Sequence, residues 1–429
     1  MTRRPADVII VGAGPAGALT ALLLARAGVD VLLLDRAAFP RAKACGDCLS
    51  MGATALLRRN GLLDRLLRAP HALLRGWRIV APDGSAFDAH FEAGAHARVA
   101  DPRTSRAISS GSDNGPELTR CALSVERAIF DALLVEAALD AGARFEQQAV
   151  TDLAYDAHGR VSGVRTRTGP IPARVTVGAD GLRSVVATRL GARAPGALRK
   201  LSLTFHLPVD GVGDAGEMHV GHGVSAGVAP VDSHGMCNLT LVADAHRFGR
   251  AAAADGHAFA FAAFESLPLL RGRVPRSALR DASWLASGPF DRPVRRVAFD
   301  GAVLIGDAAG YYDPFTGQGV HQALASAELL APSILAALDA GDPSAASFSG
   351  YVRSRARLLR GARFVQHGID HVLRRPATAN RAIARIRRAP DFARTIIAVT
   401  GDVAPVRSLF SPRILSGLLI PTAIPENTA

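Results

Sequence analysis

The chain has 429 residues, enough for two or three domains with large cores, and 48% of them are hydrophobic, which excludes a disordered protein. Its net charge is +12, yet only 5% of residues are aromatic and no nucleic-acid-binding module is recognisable, so nucleic acid is not an expected partner. Four cysteines (Cys45, Cys48, Cys121 and Cys237) are too few for a disulfide scaffold, and Cys45 and Cys48 lack a second pair of Cys or His for zinc, so no metal is expected.

Val8–Val11 is a short β-branched run, the pattern of a buried strand, and Gly12, Gly14 and Gly17 follow it. Gly12 permits a tight turn, Gly14 allows a pyrophosphate to approach the backbone, and Gly17 lets helix and strand pack closely. Residues 16–27 are rich in Ala and Leu and read as a helix ending at Gly28. Residues 29–34 form a second apolar strand closed by Asp35, an acid placed to accept ribose hydroxyls. The basic start at Arg3 and Arg4 and the uncharged run 8–25 would also suit a signal peptide or a membrane span. The glycines and Pro15 interrupt that run, and a second strand follows at once, so the expected location is the cytoplasm, with peripheral membrane association as an alternative.

Residues 36–50 form a loop containing Pro40, Lys43, Cys45, Gly46, Asp47 and Cys48. Residues 51–67 read as a helix broken at Gly61, and 77–80 and 86–91 as a hairpin about Asp83-Gly84. Residues 101–116 are polar and rich in Ser and Gly, a long loop. Ser124 is the expected N-cap of a helix reaching Ala141, with Phe130, Leu133, Leu134 and Ala137 as its buried stripe. Residues 150–177 form a β-meander leading into Gly178-Ala179-Asp180-Gly181. Residues 201–209, 217–231 and 236–242 read as longer strands of a second, antiparallel sheet. A second G-x-G-x-x-G at Gly211–Gly216 precedes no helix and reads as a hairpin loop. After strands at 294–299 and 302–305 come Gly306-Asp307 and Pro314 to Val320, then a helix from about His321 to Ala340.

The remainder is helical and arginine-rich. Residues 352–389 hold eleven arginines against one acid, Asp370, in a chain whose only lysines are Lys43 and Lys200. A solvated helical face explains such a run, and an anionic membrane surface or an acidic carrier protein are its functional alternatives. The segment 409–424 is apolar and suits the cover of a pocket.

Three glycine–acid clusters far apart in sequence fit one large cofactor laid across the end of a sheet, and a helix start at Gly317–Gly319 would aim its positive end at that cofactor's ring. At these residues the chain resembles FAD-dependent oxidoreductases of the aromatic-hydroxylase fold, over roughly residues 7–330. Gly12, Gly14, Pro15, Ala16, Gly17, Asp35 and Arg36 match the family's first motif; Arg127 matches its flavin-contacting arginine. Asp180 and Gly181 match the second motif, which the family uses for FAD and for transient NAD(P)H, and Gly306, Asp307, Pro314, Gly317, Gly319 and Val320 match the third. The loop at Cys45-Gly46-Asp47 and the stretch 313–319 are most similar to the geranylgeranyl-reductase branch, although Cys48 and the lack of a Tyr/Trp isoprenoid motif in 232–284 depart from it.

The resemblance implies an α/β fold: a discontinuous Rossmann-like FAD-binding domain (1–72, 100–198, 290–342), a mostly antiparallel β-sheet substrate domain (73–99, 199–289) and a helical C-terminal region (343–429). It implies FAD as cofactor, NAD(P)H as reductant, a hydrophobic substrate and a site at the flavin that includes Cys45 and Gly46, Cys45 as a candidate catalytic residue. Hydroxylation of an aromatic or lipid-like substrate is the favoured reaction. The alternatives are reduction of an isoprenoid or quinone C=C bond, a disulfide reductase using Cys45 and Cys48, and a non-catalytic FAD protein. His321, at the start of the helix behind the third motif, is expected to make a local hydrogen bond and not to serve the flavin.

Overall fold

The structure is a computed structural model and describes residues 6–91, 121–196 and 200–419. The N-terminal part contains β1 (Ala6–Val11), α1 (Pro15–Arg26), β2 (Val31–Asp35), β3 (Cys48–Leu49), α2 (Met51–Arg59), α3 (Leu63–Leu67), β4 (Ala72–Leu74), β5 (Gly76–Val80) and β6 (Ala86–His90). Then come β7 (Ala122–Ser124), α4 (Arg127–Asp140), β8 (Arg144–Gln147), β9 (Val150–Tyr155), β10 (Val161–Thr166), β11 (Gly169–Gly178) and α5 (Val185–Arg189). The middle of the chain forms β12 (Lys200–Pro208), β13 (Gly216–Val220), β14 (Val224–Pro230), β15 (Met236–Asp244), α6 (Ala245–Ala254), α7 (Gly256–Glu265), α8 (Arg276–Asp281) and β16 (Trp284–Ser287). Last are β17 (Ala298–Phe299), β18 (Ala302–Leu304), α9 (Gly319–Asp339), α10 (Ser349–Leu373), α11 (Pro376–Arg387), α12 (Pro390–Thr400) and α13 (Pro412–Leu419).

The first sheet runs β17-β18-β11-β1-β2-β8, with β10 also paired to β11 and β9 to β10. Its centre is parallel: Val8 pairs with Val31 on one side and Val175 on the other. A central parallel strand is covered on both faces, so β1 and β2 read as unbroken apolar runs; Val8, Ile9, Ile10, Leu33 and Leu34 are fully buried. Helices α1, α4 and α9 pack together over this sheet. The second sheet has the order β16-β12-β15-β14-β13-β5-β6 and is antiparallel except where β13 runs beside β5. Its strands alternate. Cys237, Leu239, Leu241 and Ala243 of β15 join a core with α7, while Asn238, Thr240 and Val242 face the opposite side, toward the first sheet.

Several expected elements take a different form. Ser124 ends β7 and caps nothing. The helix begins at Arg127 behind Glu126, and its first N–H is satisfied from afar by the Asp47 carboxylate at 3.2 Å. A local capping signal was read where a tertiary one operates. Residues 217–231 are two strands, β13 and β14, separated by a turn at Gly221–Gly223. The connection at Gly211–Gly216 leads into a strand and no helix, as expected, but it is no hairpin: β12 pairs with β15 and β16, and β13 with β14 and β5. The helix expected from His321 starts at Gly319. The expected loop at 101–116 lies outside the described residues, as do residues 420–424 of the apolar C-terminal segment.

Candidate active site

β1 delivers the chain into the first turn with Gly12 at φ +100. A Cβ there would lie 2.4 Å from the Ala179 carbonyl oxygen, and one on Gly17 would lie 1.9 Å from the Gly12 oxygen, so both glycines are required by close backbone packing. Gly14 differs: its Cβ would meet only the Arg41 guanidinium, at 3.6 Å, so that side of the turn is open. Pro15 begins α1 and Gly14 provides no side-chain cap, which leaves the helix N-terminus free for an anion. Asp35 accepts the amides of Ala13 (2.8 Å) and Ala37 (3.0 Å), which fixes its carboxylate beside the turn. Arg36 is exposed and does not line the cavity described next.

A cavity of about 660 Å³ extends from this turn between the two sheets to the C-terminal helices. Its wall at the first sheet includes Gly14, Pro15, Ala16, Lys43, Cys45, Gly46, Arg127, Gly181, Gly306 and Asp307, and at the start of α9 Pro314, Gly317, Gly319 and Val320. Gly306 opens a 3₁₀ turn to Ala309 that holds Asp307 at the wall, and α9 follows with no side-chain cap on its first amides. The residues thus converge from all three motifs.

Arg127 is buried at the start of α4 and forms a bidentate ion pair with Asp131 (2.7 and 2.8 Å). Burial works against its charge, but Asp131 and a hydrogen-bonding contact with Cys45 more than restore it. The Lys43 ammonium is pushed down from its usual range, by burial first and then by Arg127, with Asp307 and Asp131 opposing. Arg41, which no sequence signal singled out, lies 3.3 Å from Asp131 and 4.0 Å from Asp35. The turn therefore gathers three cations, Arg41, Lys43 and Arg127, beside an open helix N-terminus, an arrangement suited to a pyrophosphate.

The loop carrying Cys45 is tied down by Asp47, which is 1% exposed with φ 56. Asp47 accepts from His206 Nε2 (2.6 Å), Asn238 Nδ2 (2.7 Å) and the Arg127 amide. Asn238 Nδ2 also donates to the Cys45 carbonyl at 2.7 Å, and Thr240 Oγ1 does so at 3.2 Å. One carboxylate therefore joins the Cys45 loop, α4 and the second sheet. Burial lowers the His206 pKa, but the Asp47 hydrogen bond and charge outweigh it, and the imidazole ends above its ordinary value. Neither His206 nor Asn238 had a local signal, because their partner lies more than 150 residues away.

Asp180 does not line the cavity; its Oδ2 accepts the amides of Val185 (2.7 Å) and Val186 (3.2 Å) at the start of α5, which steadies the loop in which Gly181 reaches the wall, while its buried Oδ1 has no hydrogen-bond partner among the described residues. His321 also lies off the cavity, with Nδ1 3.2 Å from Asp402. Cys45 and Cys48 are free thiols, and Cys48 is pushed far up by burial and by the Asp47 carboxylate, which makes it a poor thiolate.

The family model of the FAD binding domain matches residues 5–366. The chain belongs to this family. The open turn at Gly14, the cation cluster and the Asp307 wall fit FAD as its cofactor. Menaquinone reductase of Mycolicibacterium smegmatis is 34% identical over 191 residues, 43% of this chain and 40% of that one, so the chain matches well under half the length of that relative. Digeranylgeranylglycerophospholipid reductase of Methanothrix thermoacetophila is 27% identical over 377 residues, covering 84% of this chain and 85% of that one. Among solved structures, the flavin-dependent brominase Bmp2 superposes with a TM-score of 0.74 at 18% identity, over 96% of this chain and 97% of that one. PqsL of Pseudomonas aeruginosa, described as a probable FAD-dependent monooxygenase, gives 0.66 at 20%, over 88% and 99%. At these identities the structures establish a common fold.

Proposed function

We propose that this FAD-dependent oxidoreductase passes electrons from NAD(P)H to a long, apolar, isoprenoid-like chain and saturates a C=C bond in it. The observation that carries the reading is the cavity. Beyond the cofactor end it passes Trp77, Ile79 and Phe91, then Ile369, Val372, Ile383, Ile386 and Ile396 of the C-terminal helices, a lining suited to an extended hydrocarbon. The digeranylgeranylglycerophospholipid reductases, similar over most of both chains, support the same reading.

Bound FAD supplies a two-electron carrier for this chemistry. Arg41, Lys43 and the α1 N-terminus would hold its phosphates, Asp35 the adenosine ribose and Asp307 the hydroxylated linker, and the α9 N-terminus would supply positive potential to the bound cofactor. Saturating a double bond also consumes a proton. The Cys45 thiol and the Tyr311 phenol stand in the wall at that end. Burial, and then Asp307, raise Tyr311 well above its usual range, so its hydroxyl keeps its proton at neutral pH. Apolar helices over the far end exclude water from both steps.

Hydroxylation is the second reading, favoured by the same dryness. Oxygen separates the two. Candidate isoprenoid lipids and phenols are incubated with enzyme and NAD(P)H with and without air. Anaerobic saturation of a double bond establishes the reductase; oxygen incorporation with no anaerobic product establishes the hydroxylase. A flavin that NAD(P)H does not bleach would refute both and leave a non-catalytic FAD protein.

A further inference from the structure

The far end of the cavity opens at Phe364 of α10, which lines it and is 59% exposed. Phe364 packs against Phe410 with ring centroids 5.8 Å apart and the ring planes tilted by 59°, and Phe410 is itself 54% exposed. Beside it the short helix α13 exposes Leu415 and Arg413. Two large rings at the mouth of an apolar cavity thus leave more than half of their surface in water.

The surrounding charge is of one sign. Arg353, Arg357, Arg360 and Phe364 fall at i, i+4, i+7 and i+11 of α10, one face of the helix, and all are exposed. Arg363, which adjoins Phe364, and Arg407, one turn before Phe410 in sequence, are exposed as well. Among the described residues, none of Arg353, Arg357, Arg360 and Arg363 forms an ion pair. From 349 to 417 the chain has fourteen arginines and three acids. Those acids are engaged: Asp370 with Lys200 and Arg374, Asp391 with Arg394 and Arg413, and Asp402 with Ser50 and Gln318.

We propose that this face docks on an anionic lipid bilayer, with Phe364 and Phe410 entering the acyl boundary, the arginines on the headgroups, and the cavity mouth opening directly into the lipid. An acidic protein would satisfy the arginines, but it would not account for two exposed rings at the mouth of a hydrocarbon-lined cavity, whereas a bilayer takes up both features. An apolar substrate would then reach the site without crossing water. The proposal adds a partner to the reading above and rests on it only for what passes through the mouth.

The test is co-sedimentation of the FAD-loaded protein with phosphatidylcholine vesicles, with and without phosphatidylglycerol. Binding should require phosphatidylglycerol and fall with salt over the range where the screening length shortens. R353Q/R357Q/R360Q should lower partitioning about a hundredfold, at roughly fivefold per arginine. F364S/F410S should lower it about tenfold or more while leaving the salt dependence in place. Retained FAD and an unchanged melting profile in the arginine variant exclude unfolding. Equal binding to neutral and anionic vesicles, or full binding by the arginine variant, overturns the proposal. So does capture by a soluble acidic carrier protein with no vesicle binding. Partitioning is read without turnover, so its failure leaves the reaction assignment standing, and the oxygen experiment leaves this one standing.

Discussion

Asp47→Asn tests whether one buried carboxylate holds the site together. The side chain is isosteric, and a backbone at φ 56 suits Asn at least as well as Asp, so only the charge and the acceptor set change. Asp47 accepts three hydrogen bonds on two oxygens: His206 and Asn238 share Oδ2, and the Arg127 amide takes Oδ1. An amide has one oxygen. Whichever way it turns, at least one buried donor faces another donor. Losing one bond to a charged acceptor and leaving its partner unpaired costs about 2–4 kcal/mol.

The effect also depends on pH. His206 has a raised folded pKa, so its contribution to stability is fully present below the unfolded value near 6.5 and is lost as pH rises through the folded value. Asp47→Asn removes the raising partner, so its deficit is greatest on the acid side and narrows above that window. Thermal unfolding of the FAD-loaded protein, followed by flavin release from about pH 5 to about pH 8.5, measures both quantities. His206→Gln should lose the same pH dependence. A variant with wild-type stability and an unchanged pH profile would refute the account of Asp47 as the residue joining loop, helix and sheet.

The purified protein should be yellow with one noncovalent FAD, and Asp35→Ala and Arg127→Ala should each weaken retention by about tenfold or more, measured as flavin in the filtrate; FMN, or undiminished occupancy in both variants, counts against the site. Cys48→Ser should leave reduction of the flavin by NAD(P)H intact, because burial and Asp47 hold that thiol protonated; loss of turnover in Cys45→Ser and Cys48→Ser alike, with FAD bound, would instead support a redox dithiol. Glu217 resists burial through His219 and the Arg273 fork, which hold its carboxyl down at about 2. From an ordinary value of 4.5 that is about 2.5 units, or about 3 kcal/mol. A depressed acid stabilises above its unfolded pKa and loses that stability as pH falls through the folded one. The gap between wild type and Glu217→Gln in denaturant melts should therefore be full above about pH 4.5 and close toward about pH 2; a gap independent of pH refutes it.

Fold and cofactor were legible in the chain because they rest on short-range constraints. Gly12, Gly14 and Gly17 sit between an apolar strand and an Ala/Leu helix, and their spacing answers to a turn, an approach and a helix–strand packing set up within that short stretch, although Gly12 also meets Ala179 from afar. The same holds for Gly306-Asp307 and the start of α9, and for the β-meander at 150–177. The residues that join these pieces left no local trace. Asp47 reads as a loop acid until β12 and β15 bring His206 and Asn238 against it, and the first amide of α4 takes its cap from that same carboxylate, where the sequence pointed to Ser124. Asp180, matched to a cofactor motif, also accepts the first two amides of α5, a contact that no local pattern announced. The arginines at 353–363 were visible as charge, but only the packing of Phe410 on Phe364 sets them around a cavity mouth. A hydrogen bond between residues 150 or more apart obeys no periodicity, so the contacts that shape this site, and the reach of its cavity, were decided by tertiary structure alone.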